Sequence, residues 1–149
     1  MKLTAADVAD ELGLEPLDHE GGLWTRTHLD AHSSAIYYLI VAGDFSALHR
    51  LDATEVWHHY GGAPARLLVL HPDGRIDQPV LGPDLATGQR PQLAVPAGAW
   101  QGGSTLGDWS LLGTTMAPPF HEAGFELARR TDLIAFFPSV SARIEELIR

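Results

Sequence analysis

The segment at residues 43–62, GDFSALHRLDATEVWHHYGG, concentrates side chains whose types and spacing could do chemistry. Glu55, Trp57 and His59 are two positions apart, so they share one face if the segment is a strand. His49 belongs to the run before them, across a short DAT turn. If the two strands pair, an imidazole and a carboxylate converge on one interior point, where a polar ligand or a metal would be held.

His49 and Glu55 have the elements of an acid/base pair, because a carboxylate that orients an imidazole prepares it for proton transfer near neutral pH. Such a pair suits proton abstraction beside a carbonyl, as in sugar epimerisation or isomerisation. A competing interpretation is structural, because buried polar groups must find partners and these two could satisfy each other. A metal site is a third interpretation, but it needs three or four converging donors, and His59 would have to be the third.

The strands that must position these residues are predicted by the surrounding pattern. Short β-type runs separated by turns follow one another at intervals near ten residues, which is the spacing of an antiparallel sandwich or a closed barrel. The runs are LWTRTH, AIYYLIV, FSALHRL, EVWHHY, ARLLVLH, RIDQPVL, QLAVP and DWSLLGTTMA. The glycine pairs at 21–22, 61–62 and 102–103 are expected at turns and strand ends.

Helical patterns flank these strands. Thr4 can cap a short helix over about 4–12, and a loop is expected over 14–22. The segment over about 121–149 returns to helix, because its last apolar residues have the spacing of one helix face. At 149 residues the chain is expected to form a single domain, 1–149, with a barrel over about 23–117.

Composition excludes several classes of function. The formal net charge is -9 and the basic residues are scattered, which argues against nucleic acid as a partner. No run of about 18 apolar residues exists, so no membrane partner is expected. The start, MKLTAADVADELGLE, lacks the apolar core of a secretory signal, which predicts a cytoplasmic protein. The absence of cysteine excludes disulfides, thiolate metal sites and cysteine nucleophiles.

The spacing of the 43–62 segment resembles the first motif of the cupin superfamily. That motif is a Gly, five residues, His-x-His, three or four residues, Glu, six residues and Gly. Gly43, His49, Glu55 and Gly62 stand at matching separations. One position departs from the pattern, because Leu51 stands where the second histidine, a metal ligand of typical cupins, belongs.

A second cupin motif, Pro-x-Gly-x-x-His, is similar to Pro96, Gly98 and Gln101, with the amide in place of the histidine. Four stretches resemble, in order and spacing, the cupin subgroup called DUF985 or cupin-5: HRLDATEVWHHYGG, LVLHPDG, VPAGAWQGG and APPFHEAGFELA. The resemblance implies an all-β cupin double-stranded β-helix (an RmlC-like jelly roll) with an N-terminal helix and C-terminal helices. It also implies a homodimer.

Further residues are candidates for the same pocket. Gln101 occupies the cupin ligand position, and its amide could orient a sugar ring stacked on Trp57 and Trp100. Each tryptophan could equally belong to the core or to a dimer interface. His59 is a further candidate ligand-binding residue on the Trp57 face.

The leading hypothesis is a small-molecule pocket inside the barrel that binds a carbohydrate-like or nucleotide-sugar-like ligand. Its chemistry would be metal-independent epimerisation or isomerisation through His49 and Glu55. One alternative is a metal-dependent cupin enzyme, in which a divalent metal is the cofactor and His49, Glu55, His59 and Gln101 are its ligands. The other is a non-catalytic binding or storage-like protein. The sequence names neither the cofactor, if there is one, nor the substrate, and fold analogy alone does not supply them.

Overall fold

The computed structural model describes residues 2–149. The first helix, α1, spans Ala5–Leu12 and begins at a capping box formed by Thr4 and Asp7. The backbone N–H of Asp7 donates to the Thr4 hydroxyl at 3.2 Å, and the backbone N–H of Thr4 donates to the Asp7 carboxylate at 2.8 Å. These bonds satisfy two donors that the first helical turn leaves free, as the position of Thr4 predicts.

Residues 2–149 form twelve strands and two further α-helices. The strands are β1 (Glu15–Pro16), β2 (Leu23–Leu29), β3 (Ser34–Val41), β4 (Ser46–Leu51), β5 (Glu55–Gly62), β6 (Ala65–Leu70), β7 (Ile76–Asp77), β8 (Val80–Leu81), β9 (Gln92–Val95), β10 (Trp100–Thr105), β11 (Trp109–Met116) and β12 (Phe125–Leu127). The helices are α2 (Arg130–Phe136) and α3 (Ser141–Glu146), and short 3₁₀ turns occupy Leu85–Thr87, Glu122–Gly124 and Pro138–Val140. None of the helices in this part of the chain has the length and apolar character needed to span a bilayer.

The strands make two antiparallel sheets that face each other. The first sheet has the order β1-β2-β3-β11-β5-β9, and the second has the order β12-β4-β10-β6-β7, with β8 also paired to β6. The pairing of β3 with β11 and of β4 with β10 joins strands far apart in sequence. This is the crossed-over arrangement of a jelly roll, and it confirms the predicted all-β cupin architecture with helices at both ends of the chain.

Strand alternation gives the second sheet two apolar faces. Leu67 and Val69 point into the interior, where they meet Tyr38, Trp57 and Leu112 of the first sheet. The intervening side chains of β6 point the other way, against α2 and α3. This outer cluster consists of Leu48, Leu68, Leu70, Leu133, Phe137, Ile144 and Leu147. Burial of each side chain of this size contributes about 1.5–3 kcal/mol to the free energy of unfolding. The packing of α2 and α3 on this face therefore stabilises the second sheet.

Two parts of the chain differ from the sequence-based expectation. Gly102 and Gly103 lie inside β10 rather than at a strand end. A Cβ atom at Gly102 would lie 2.7 Å from the carbonyl oxygen of Ser46, so glycine permits a close approach of β10 to β4. The region expected to be helical from about 121 contains β12, which pairs with β4, and helix begins only at Arg130. A three-residue strand is too short to show an alternating pattern.

Candidate functional site

A cavity of about 470 Å³ lies between the two sheets at one end of the interior. Its walls come from β2, β3, β5 and β11 of the first sheet, from β4 and β12 of the second, and from the loop between β1 and β2. Aromatic rings line much of it, and they belong to Trp24, Tyr38, Trp57, Phe120 and Phe125. The volume falls in the range of small-molecule sites, which combine apolar walls with a few polar groups.

His49 is one of those polar groups, and its side chain is only 2% exposed. Its Nδ1 lies 2.7 Å from the carbonyl oxygen of Ala47. A carbonyl can only accept, so Nδ1 carries the proton and the neutral ring has an unprotonated Nε2. The ring also stacks on Phe125, with centroids 5.2 Å apart. The orientation of the imidazole is therefore fixed from two sides.

The Ala47 carbonyl is available because the ladder between β4 and β10 is interrupted. Gln101 pairs with His49, but Gly103 pairs with Ser46, so β4 carries an extra residue at this point. The backbone N–H of Ala47 donates instead to the Glu20 carbonyl at 2.7 Å, and that of Leu48 to the Leu147 carbonyl at 2.8 Å. Bulges of this kind re-aim side chains next to functional sites.

Glu55 begins β5 and is 8% exposed. The pKa of its carboxyl group is raised to about 7, chiefly by burial and also by the charge of Glu20, while a protonated His49 and the hydroxyl of Thr114 oppose the shift. The dominant cause is desolvation, which disfavours the charged form. Near neutral pH both the acid and the carboxylate are therefore populated, which is what a proton-transfer group requires.

Glu20 completes the polar cluster, although sequence reasoning assigns it only to the 14–22 loop. One oxygen, Oε2, accepts a 3.0 Å hydrogen bond from Ser46, and the other, Oε1, lies 3.7 Å from Nε2 of His49. Gly21 and Gly22 follow it with φ of 94° and 77°, a left-handed turn that glycine adopts most readily. The glycine pair is the signal that could have located this turn, but it does not say which side chain the turn presents.

Trp57 lines the cavity and Gln101 lies behind it. Both are about 1% exposed, and the indole Nε1 donates to the Gln101 side-chain oxygen at 2.6 Å. Since β5 and β10 are in different sheets, this contact crosses the interior. The Gln101 oxygen is thereby committed to a protein partner.

His59 and Trp100 lie away from the cavity. His59 shares a face with Trp57 but is further along β5, and its Nε2 is 3.0 Å from the Ala63 carbonyl. Trp100 lies on the face of β10 opposite to Gln101, where it packs on the outer cluster and the Arg50 guanidinium lies 4.5 Å from its ring centre. The structure thus brings together His49, Glu55 and Trp57, and it does not bring His59 and Trp100 to them.

The donor set does not fit the metal centre implied by typical cupins. Among residues 2–149, no three histidine, aspartate or glutamate side chains are placed to hold one ion. The nitrogen of His59 and the oxygen of Gln101 are engaged with other groups, and Leu51 lines the cavity where the motif's second histidine would stand. The four residues considered as metal ligands therefore do not converge.

Comparison with known proteins gives a consistent family assignment. The family model described as Cupin_5, cupin superfamily (DUF985), matches residues 6–128. The chain is similar to a crystal structure of a protein from Shewanella oneidensis, with 32% identity over 99% of both chains and a TM-score of 0.92. It is also similar to a hypothetical protein from Leishmania major, with 25% identity over 98% of this chain and 99% of that one and a TM-score of 0.91.

A more distant structure shares the fold. It is a dTDP sugar isomerase from Desulfovibrio desulfuricans, with 19% identity over 87% of this chain and 86% of that one and a TM-score of 0.58. No curated protein matches this chain. The motif spacing, the two facing sheets and the family match agree with one another, and the chain belongs to the cupin superfamily, in the family described as DUF985.

Proposed function

We propose that the cavity binds a carbohydrate-like molecule and moves a proton beside its carbonyl group, as an epimerase or isomerase that uses protein side chains as acid and base. The observation that carries this proposal is the pairing of two groups in one cavity. The neutral form of His49 has its unprotonated nitrogen at Nε2, because Nδ1 donates to the Ala47 carbonyl, and Glu55 has a pKa of about 7.

The composition of the lining supports a carbohydrate-like ligand. Rings such as Trp24 and Trp57 offer surfaces on which a sugar ring can stack, and Thr114 adds a hydroxyl group. The nucleotide-sugar class is less well supported, because Arg26 is the single lysine or arginine that lines the cavity, and it is exposed. A diphosphate would need a stronger positive field than one exposed guanidinium provides.

The proposed step transfers one proton in each direction. The Nε2 atom of His49 takes the proton from the carbon beside the carbonyl, and the protonated carboxyl of Glu55 gives its proton to the carbonyl oxygen. An enediol results, and the imidazolium and the Glu55 carboxylate are left. The imidazolium then returns its proton to the neighbouring carbon while the Glu55 carboxylate takes the proton of the other hydroxyl group, which gives an isomer and restores both side chains. If the enediol first turns its opposite face to His49, return of the proton to the original carbon, with the hydroxyl proton again taken by Glu55, gives an epimer. The Glu20 carboxylate, 3.7 Å from Nε2, attracts the imidazolium that forms.

The dTDP sugar isomerase supports this proposal only as an analogy of fold. Its name specifies a sugar as substrate, and its similarity of 19% identity concerns the barrel rather than the site. The assignment for this chain therefore depends on the side chains in the cavity.

Exchange of carbon-bound hydrogen tests the proposal directly. Glucose, mannose, fructose and glucosamine are incubated with the protein in D₂O, and NMR follows deuterium at the carbon beside the carbonyl. We expect incorporation with at least one sugar, and we expect His49→Gln and Glu55→Gln each to slow it by about 10²-fold or more.

His32→Gln and Glu11→Gln are matched controls, because both residues are exposed and lie outside the cavity. These variants should exchange hydrogen at the wild-type rate. Incorporation that persists unchanged in His49→Gln would remove the assigned base, and no incorporation with any of the four sugars would reject the proposed reaction.

A further inference from the structure

We infer that the ligand of this cavity carries a positive charge, and that a protonated amine of a sugar-sized molecule is held between Glu20 and Glu55. The inference rests on the proposed function for the location of the site and adds the chemical class of the ligand. It follows from the charge of the lining and from the hydrogen-bonding roles of its buried groups.

The charge of the lining is predominantly negative. Four acidic residues line the cavity: Glu55 is buried and Glu20 is half-buried, whereas Asp18 and Glu122 are exposed. One guanidinium, that of Arg26, faces it from the rim, and the remaining titratable side chains are the imidazoles of His19 and His49 and the phenol of Tyr38. A cleft lined by one sign of charge raises the local concentration of ligands of the opposite sign.

The polar side chains at the centre of the cavity are those of Glu20, His49 and Glu55. All three are hydrogen-bond acceptors toward a ligand when the carboxylates are ionised and the imidazole is neutral. A neutral His49 uses its one N–H on the Ala47 carbonyl, so its Nε2 accepts. Oε1 of Glu20 lies 3.7 Å from that nitrogen, beyond hydrogen-bonding distance. The hydroxyl of Thr114 can donate to at most one oxygen of Glu55, which is more than nine-tenths buried.

A ligand that satisfies this centre must therefore bring donors. An ammonium group has three N–H donors and no acceptor, which complements the carboxylate oxygens of Glu20 and Glu55 and leaves Nε2 of His49 free to act as the base. These acceptors are reached from the cavity, and charge-assisted hydrogen bonds are roughly twice as strong as neutral ones. The surrounding rings favour the same class of ligand, because the face of an aromatic ring attracts cations.

Binding of a cation should also release protons. A positive charge beside Glu55 favours its ionised form, so its pKa falls on binding, and the complexes in which Glu55 keeps its proton are the ones that carry out the proposed step. Since the free carboxyl has a pKa of about 7, roughly half a proton should leave for each ligand bound at pH 7. The other titratable or charged groups that face Glu55 across the cavity are Asp18, His19, Glu20, Arg26, Tyr38, His49 and Glu122.

A matched series of sugars tests the inference on the wild-type protein. Glucosamine, glucose and glucuronate have similar shapes and differ in charge, and calorimetry at pH 7 in the presence of a chelator gives their affinities. We expect glucosamine to bind roughly tenfold tighter than glucose or more, and glucuronate to bind most weakly. Titration in two buffers of different ionisation enthalpy should show release of protons with glucosamine and none with glucose.

Glu20→Gln identifies the carboxylate responsible. The amide oxygen can still accept the hydrogen bond from Ser46, so the loop has its anchor. We expect the ratio of the glucosamine affinity to the glucose affinity to fall toward one in this variant, and we expect Glu11→Gln on α1 to keep the wild-type ratio.

The outcomes separate the inference from the proposed function. Equal affinity for glucose and glucosamine, or tighter binding of glucuronate, overturns the inference and leaves the sugar site intact. If no sugar binds, the carbohydrate proposal fails, and the charge inference is then decided by benzylamine and benzyl alcohol, which are matched in shape. Preference for benzylamine supports a cation site, whereas equal or absent binding of the two compounds overturns it.

Discussion

The indole nitrogen of Trp57 and the side-chain oxygen of Gln101 are joined by a 2.6 Å hydrogen bond across the interior, from the first sheet to the second. Both side chains are about 1% exposed, so neither has access to solvent as an alternative partner. The pair fixes the wall of the cavity behind the Trp57 ring. The same hydrogen bond means that Gln101, which stands where typical cupins have a ligand residue, is bonded to another residue of the protein.

Removal of the acceptor should therefore destabilise the fold. We expect Gln101→Leu to lower the free energy of unfolding by about 1–3 kcal/mol, because the indole N–H is left buried without an acceptor. The double variant with Trp57→Phe removes both partners and should recover part of this loss. Urea unfolding of the two single variants and the double variant measures the coupling. Gln101→Leu with wild-type stability would contradict the assignment.

The stability of the protein should depend on pH through Glu55. Its pKa is about 7 in the folded state, against an ordinary value of 4.5, so the folded state holds the proton more tightly. The stabilisation of the folded state that results is fully present below about pH 4.5 and is lost as the pH rises through about 7. From pH 5 to pH 8 the loss amounts to roughly 2 to 3 kcal/mol. We expect Glu55→Gln to lack this loss of stability, because glutamine does not titrate.

The measurement is the difference in unfolding free energy between Glu55→Gln and wild type at each pH. That difference should move in favour of the variant as the pH rises from 5 to 8. Because groups outside the cavity titrate equally in both proteins, the comparison isolates Glu55 together with its charge interactions with Glu20 and His49. Glu11→Gln, an exposed control on α1, should show no such change, and a difference for Glu55→Gln that is constant with pH would count against a raised pKa.

Gly102 should be intolerant of a side chain. A Cβ atom there would lie 2.7 Å from the Ser46 carbonyl oxygen and 3.1 Å from the Leu48 nitrogen, within the segment that orients His49. We expect Gly102→Ala to cost about 1–3 kcal/mol and to weaken ligand binding. Gly61→Ala is the matched control, because a Cβ atom at Gly61 meets nothing within 4 Å. Equal stability of the two variants by urea unfolding would refute the close approach.

Arg26 should oppose cation binding from the rim. It is exposed, so its effect is small and screened by salt. We expect Arg26→Gln to increase the affinity for glucosamine about twofold to fivefold at low salt and to leave the affinity for glucose unchanged. Arg90→Gln, an exposed control outside the cavity, should change neither affinity in the same calorimetric titrations. A decrease in glucosamine affinity for Arg26→Gln would contradict a role for charge in the selection of the ligand.

Strand alternation made the inward side chains predictable. Glu55 and Trp57 share a face of β5 and both line the cavity, as their spacing predicts. The same alternation explains why Trp100 and Gln101 cannot form one wall, because adjacent residues on a strand point to opposite faces. His59 has the correct parity, but its position along β5 lies beyond the cavity, and sequence alone does not report how far the cavity extends.

Glu20 could not be predicted in this way. It precedes a Gly-Gly turn in a loop, where no periodicity relates a side chain to a face. Its direction depends on contacts with distant parts of the chain, among them the hydrogen bonds that it accepts from Ser46 and from the Ala47 backbone. Likewise, the glycines at 102–103 have the composition of a turn, and only the neighbouring strand reveals that they serve close packing.

The three central groups of the cavity arrive from a loop and from both sheets, so they meet only after the whole jelly roll has closed. Occupancy of the cavity is therefore coupled to global unfolding, and a ligand at 100 times its dissociation constant adds about 2.7 kcal/mol to the folded state. The melting temperature of the intact protein thus serves as a readout for screening compound libraries.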